Sequence, residues 1–289
     1  MAFLSREVPR WSRENKCFSC HNNGDAARAL YAASALGYRV PRAALTDTTD
    51  WLQHPDRWED NKGDPAFSDK RLATIQFTSA LAAAIETKHA PDRSALLAAA
   101  RALEAQQNTD GAWSIEPAGA LGSPATYGTQ LATAAVIRSL VTVGDRSVAA
   151  ARGRAQRWLG ERATDNVLSA AAALIGLHGD ETPVASAKRK ECLKLIRRSQ
   201  ARDGGWGPYP DSPPEPFDTA VVLLALMENR DGGEFKSLLH SGRDYLIETQ
   251  NADGSWPETT RPALGESYAQ RISTTGWATL ALLRTRDLP

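Results

Sequence analysis

The sequence predicts an all-α fold, a single (α/α)6 toroid in which inner and outer helices alternate around a ring. Three observations lead there. A seven-residue phrase, Gln-x-x-Asp-Gly-x-Trp, occurs as Gln107–Trp113, Gln200–Trp206 and Gln250–Trp256. The stretches before it carry charge on one side and apolar residues at helical spacing, as outer helices should. Those after it are small, apolar nearly all round and rich in threonine, as buried inner helices should be. Repetition of a unit this long means stacked supersecondary pieces, and closing the apolar pieces into a ring buries every apolar face.

The elements follow in chain order. DAARALYAASALGY at 25–38 is the first inner segment, and the first outer segment lies near Ala43–Gln53. KRLATIQFTSALAAAI at 70–85 is the second inner segment, and ALLAAARALEAQQ leads into the first full repeat phrase. TQLATAAVIRSL, NVLSAAAALIGL, FDTAVVLLAL and ISTTGWATLALL complete six inner segments. SAKRKECLKLIRRSQ and FKSLLHSGRDYLIETQ are the last two of five outer ones. The first two phrases start 93 residues apart and the last two 50, so a degenerate unit is expected between them, with Trp158 at its place. Gln53–Trp58 reads as another worn copy. Within each phrase, Asp-Gly signals a turn whose glycine takes positive φ where a helix ends, and Gln supplies bonds to unpaired backbone there. The chain divides into an N-terminal segment, 1–24, and the toroid, 25–289.

Three such phrases between small-residue helices closely resemble the repeats of squalene–hopene and oxidosqualene cyclases, members of the terpenoid cyclase and protein prenyltransferase toroid superfamily. The resemblance covers residues 25–285 and implies the toroid. Bacterial cyclases of this type protonate their substrate with Asp-x-Asp-Asp-Thr-Ala at the start of an inner helix. The matching stretch is Glu215-Pro-Phe217-Asp218-Thr219-Ala220. Phe217 stands where the resemblance implies the proton donor, so the usual initiation is not expected. Asp218 is the candidate substitute acid, provided the local backbone is turned differently; the alternative is that Asp218 or Thr219 caps the inner helix. The Asp-x-Cys zinc pair of the prenyltransferases has no counterpart, since Cys192 lies on a charged outer helix and reads as a packed thiol.

Cys17-Phe18-Ser19-Cys20-His21 has the spacing of a c-type haem attachment site, where two thiols add to the vinyl groups and the histidine binds iron. Zinc held by Cys17 and Cys20, or two buried thiols with a capping histidine, are the alternatives. His54, closing the first outer helix on the same rim, is the expected second ligand to a metal at His21. Arg28, one turn into the first inner helix, is placed to meet haem propionates or to form a structural ion pair. Tyr31, Phe77, Tyr127, Phe217, Tyr268 and Trp277 are candidates either to line a central cavity or to fill the core.

Lys+Arg and Asp+Glu both total 34, which excludes the basic surplus that nucleic acid or an anionic membrane requires. No apolar run is long enough for a transmembrane segment. Sequence alone therefore favours electron transfer or redox chemistry on a hydrophobic ligand, with a redox partner protein. The alternative is an isoprenoid cyclase or transferase, or a binding scaffold. A haem-bearing chain would be periplasmic or otherwise exported, although its first residues lack the apolar stretch of a secretory signal. If haem is attached, protein made with a cytochrome-maturation system will give a pyridine haemochrome spectrum and a mass increment that survives denaturation. Two freely alkylating thiols would exclude it.

Overall fold

The computed structural model describes residues 1–62, 69–117, 119–229, 235–259, 261 and 267–288. Six inner elements form the ring. They are a π-helical turn, Cys20–Ala26, running into α2 (Ala27–Ala35), then α4 (Lys70–Glu86), α6 (Gly128–Val143), α8 (Val167–Gly176), α10 (Pro216–Glu228) and α12 (Tyr268–Arg284). Each packs on the next, and α12 packs on the π-turn and α2, so the ring is closed. Around it lie α3 (Thr46–Leu52), α5 (Arg93–Ala105), α7 (Ala149–Glu161), α9 (Pro183–Arg198) and α11 (Lys236–Glu248). The sixth outer place belongs to α1 (Ala2–Asn15), which buries Phe3, Leu4, Val8 and the carboxylate of Glu7 against the π-turn, α12 and α2.

The burial pattern explains the architecture. In α8 every residue from Val167 to Gly176 is buried, and α10 is buried from Pro216 to Leu223. Helices apolar all round have no solvent face to offer, so each must be flanked by helices on every side. The outer helices bury only a stripe, as α9 does with Ala185, Cys192, Leu195 and Ile196.

The repeated phrases stitch the two layers together in the same way each time. Indole nitrogens of Trp113, Trp206 and Trp256 donate to the carbonyls of Leu103, Ile196 and Leu246, at 2.7, 2.8 and 2.7 Å. Their backbone N–H groups donate to Thr133, Thr219 and Thr275 on the following inner helix. Gln107, Gln200 and Gln250 each donate to the carbonyl of the glycine four residues on, and Gln107 and Gln200 also reach a carbonyl of the next outer helix. The threonines of the inner helices therefore receive the stitch.

Three expectations are corrected here. Trp158 is no hidden repeat tryptophan; it sits on α7 and its indole donates to Asp110 of the preceding phrase at 3.0 Å. Thr219 bonds to the backbone of Trp206, and the position before α10 is Glu215, whose side chain makes no capping bond. The first inner element begins at Cys20 rather than Asp25, because Ser19 Oγ accepts from the N–H groups of His21 and Asn22 and starts the turn early.

Gly204 and Gly254 occupy the same place in two repeats, at φ of +89° and +84°. A Cβ on Gly204 would fall 2.4 Å from the Ser241 carbonyl oxygen, whereas on Gly254 the nearest atom is 4.0 Å away. Gly254→Ala should therefore cost about 1–2 kcal/mol, the left-handed penalty alone. Gly204→Ala should cost clearly more, because the neighbouring outer helix must also move. Urea denaturation of the two variants measures the difference.

Candidate functional site

The π-turn widens the start of the first inner helix and is fixed by its two asparagines. Asn22 Nδ2 donates to the Glu7 carbonyl at 2.9 Å, and Asn23 Nδ2 donates to Thr48 Oγ1 at 2.8 Å. Such wide turns are rare and frequently mark functional positions. This one carries Asp25 into the interior, where the residue is 1% exposed. Gly276 lets α12 come close, since a Cβ there would lie 2.9 Å from the Asp25 carbonyl oxygen.

Four elements of the ring converge on the Asp25 carboxyl. Gln76 Nε2 of α4 donates to Oδ2 at 2.8 Å, and Ser273 Oγ of α12 donates to the same oxygen at 2.7 Å. Tyr127, at the start of α6, donates its hydroxyl to Oδ1, and the Arg28 guanidinium lies 3.7 Å from that oxygen. Burial pushes the Asp25 carboxyl up from its usual range, against the pull of Arg28 and the three donors. Arg28 also lies over the Trp277 indole, 4.8 Å from the ring centre. Trp277 in turn meets Tyr127 and Phe217 edge-on, with centroids 5.6 and 5.9 Å away. The expected structural ion pair of Arg28 is thus present, with Asp25 as its partner.

A cavity of about 150 Å³ runs along the ring axis, and all six inner helices contribute to its wall. Its inner end is formed by Arg28, Leu131 and Trp277, and its mouth by Glu86, Thr142, Glu228 and Arg284 at the helix C-termini. The mouth therefore faces away from the rim that carries the repeat phrases. Of the six aromatics singled out by sequence, Trp277 lines this cavity, while Tyr31, Phe77, Tyr127 and Phe217 are fully buried. A larger cleft, about 550 Å³, opens on the other rim between the starts of α6 and α8, and it is lined by Ser114, Trp158, Arg162 and Tyr209 among others.

Asp218 lies in the first turn of α10 with no exposed surface. Arg261 NH2 donates to its Oδ2 at 2.8 Å, and Glu215 is 4.0 Å from the same guanidinium nitrogen. Burial drives the Asp218 carboxyl up to about 7; Arg261 opposes the rise and Glu215 adds to it.

The cysteine motif folds into the wall of the ring. Cys20 packs against the smaller hydrophobic cluster, and burial pushes its thiol up to about 12. Cys17 is half-buried in the preceding loop. His21 Nδ1 lies 2.9 Å from Ser273 Oγ, and burial lowers the imidazole to about 4. Ser273 gives its one hydrogen to Asp25, so the neutral His21 donates from Nδ1 and keeps Nε2 bare. His54 lies two residues past the end of α3, and its ring bonds the Asp50 carbonyl of that helix at 2.7 Å. Among the described residues no group of three His, Cys, Asp or Glu side chains is placed to hold a metal ion.

The closed ring, its repeat stitches and its axial cavity define a terpene-cyclase-like α/α toroid. No protein-family model matches the chain. It is 31% identical over 180 residues to a drimenyl diphosphate synthase of Streptantibioticus cattleyicolor, covering 57% of this chain and 32% of that protein. To a drimenyl diphosphate synthase of Streptomyces showdoensis it is 32% identical over 109 residues, 36% of this chain and 20% of the other. The chain thus matches about a third and a fifth of the length of these curated relatives. Among solved structures, an arginine-to-alanine variant of the type II terpene cyclase MstE from Scytonema, in complex with its substrate geranylgeranyl dihydroxybenzoate, superposes with a TM-score of 0.62 at 14% identity. That match covers 92% of this chain and 88% of the other. The apo form of the same cyclase gives 0.61 at 14% identity. At that identity the likeness establishes the fold alone.

The raised Asp218 carboxyl makes stability depend on pH. The unfolded carboxyl titrates near 3.9 and the folded one near 7, so between these values the folded chain keeps a proton that the unfolded chain has lost. This group's contribution therefore declines as pH rises through that window and levels off above it. Asp25 and Glu228 act in the same direction and His21 in the opposite one. The readout is accordingly a difference: the melting temperature of the parent chain should fall relative to Asp218→Asn from pH 4 to 7. A constant difference would show Asp218 ionised throughout.

Proposed function

We propose that this chain is the barrel of a proton-initiated isoprenoid cyclase, acting on a substrate with a reactive alkene end. The observation that carries the reading is the axis of the ring. The ring closes on a cavity whose inner end is lined by Arg28 and Trp277, with Tyr127 and Phe217 edge-on to that indole behind the wall. The buried carboxyls Asp25 and Asp218 are the candidate initiating acids, and π-faces stabilise positive charge developing nearby. The drimenyl diphosphate synthase relatives and the terpene cyclase fold support this class.

The reading replaces electron transfer through haem, which rested on the spacing of Cys17, Cys20 and His21 and finds no support among these relatives. At about 150 Å³ the cavity is smaller than the roughly 300–1,000 Å³ that encloses a drug-sized ligand. It therefore accommodates the reacting end of an isoprenoid, with the remainder toward the mouth between Glu86, Glu228 and Arg284.

Incubation of the purified chain with squalene, farnesyl diphosphate, geranylgeranyl diphosphate and geranylgeranyl dihydroxybenzoate tests the reading. Cyclic products detected by mass spectrometry, carrying deuterium when the reaction is run in D2O, are the expected result. No conversion of any of the four would count against it.

A further inference from the structure

Phe217 fills the place where the resembling cyclases hold their donor, and it is buried against Trp277. Tyr127 and Arg28 also contact the Trp277 indole, and both reach Asp25. The aromatic centre is therefore joined to a carboxyl from the first inner helix rather than from α10. We propose that Asp25 is the group that protonates the substrate alkene, taking over from the position that Phe217 occupies. This assignment rests on the cyclase reading above.

The loop before α6 is built around that contact. Tyr127 has φ 62° and ψ −40°, and the Gly128 N–H donates to the Thr126 carbonyl at 2.7 Å, closing a tight three-residue turn. This conformation is strained for a residue with a side chain, and such strain persists where surrounding structure enforces it. Gly122 provides the enforcement, since a Cβ there would fall 1.9 Å from the Tyr127 carbonyl oxygen. What the strain secures is a phenol, fully buried, aimed at Asp25. Asp218 has no comparable setting; its carboxyl is hydrogen-bonded by its charge partner Arg261, with no tyrosine, amide or serine donor to it among the described residues.

In the step itself, the Asp25 O–H bond breaks as the alkene π pair takes the proton, forming a C–H bond and leaving a tertiary carbocation. Ring closure moves the charge along the chain, and loss of a proton to water gives the neutral product. Asp25 is left as a carboxylate and recovers its proton from solvent, so the reaction is a net isomerisation. Tyr127, Gln76, Ser273 and Arg28 are already aimed at that carboxylate, and donors set in place before the charge appears make the acid stronger. Arg28, lining the cavity between the acid and the axis, has to swing off Trp277 for the alkene to reach Asp25.

The experiment compares Asp25→Asn, Asp218→Asn and Tyr127→Phe in the full chain with whichever substrate the parent converts. Asp25→Asn should lower kcat by about 10²–10⁴-fold with KM little changed, the range of a positioned general acid. Tyr127→Phe should lower kcat by about 10–100-fold, the loss of one bond to a charged group. Asp218→Asn should stay within about tenfold of the parent, a single bond's worth. If Asp25→Asn fails to fold, Tyr127→Phe decides, because it leaves the carboxyl in place; unchanged kcat there overturns the proposal. Parent-like turnover by folded Asp25→Asn overturns the Asp25 assignment and leaves the cyclase reading standing. A parent chain inert toward all four substrates removes both.

Discussion

Helices that are apolar on every side cannot share a surface with water, and this constraint orders the whole molecule. α8 and most of α10 meet it in full, and the six inner elements satisfy it by flanking one another in a closed ring with a second layer outside. Closure leaves an axis that no backbone occupies, and whatever polar groups point there must satisfy one another. The Asp25 network is the result: a carboxyl, an amide, two hydroxyls and a guanidinium contributed by α2 with its π-turn, α4, α6 and α12. Desolvation favours the protonated carboxyl, and the donors and Arg28 around it oppose that rise.

The outer architecture was legible because it is written repeatedly. Three copies of one phrase announced three identical stitches, each with an indole, a glutamine and a threonine in fixed places. The small residues after each phrase announced the inner layer. Trp158 misled because its spacing matched a repeat whose loop, 162–166, is too short to hold one, leaving the indole to Asp110 instead.

The site was legible only in pieces. Asp218 stood out through a local motif, but Asp25 follows Asn-Asn-Gly and reads as part of a turn. Its partners at 76, 127 and 273 share no local spacing, so only the folded ring assembles them. The available signal was subtler: Gln76 and Ser273 are polar intrusions in otherwise small apolar helices, and Asp25 opens an inner helix with Ala-Ala as Asp218 does with Thr-Ala. Cys17–His21 can be read in two ways. A spacing that matches a known chemistry also suits a turn whose cysteine packs inward and whose histidine joins a hydroxyl.

Ring closure also fixes when the centre can form. Ser273 lies 248 residues beyond Asp25, and Trp277 is later still. At about 5–20 residues per second of synthesis, that separation corresponds to roughly 12–50 s. Until α12 has been made, the ring lacks the element that packs on α2 and the Asp25 carboxyl lacks its Ser273 donor. α12 thus completes both the wall of the ring and the set of donors around Asp25.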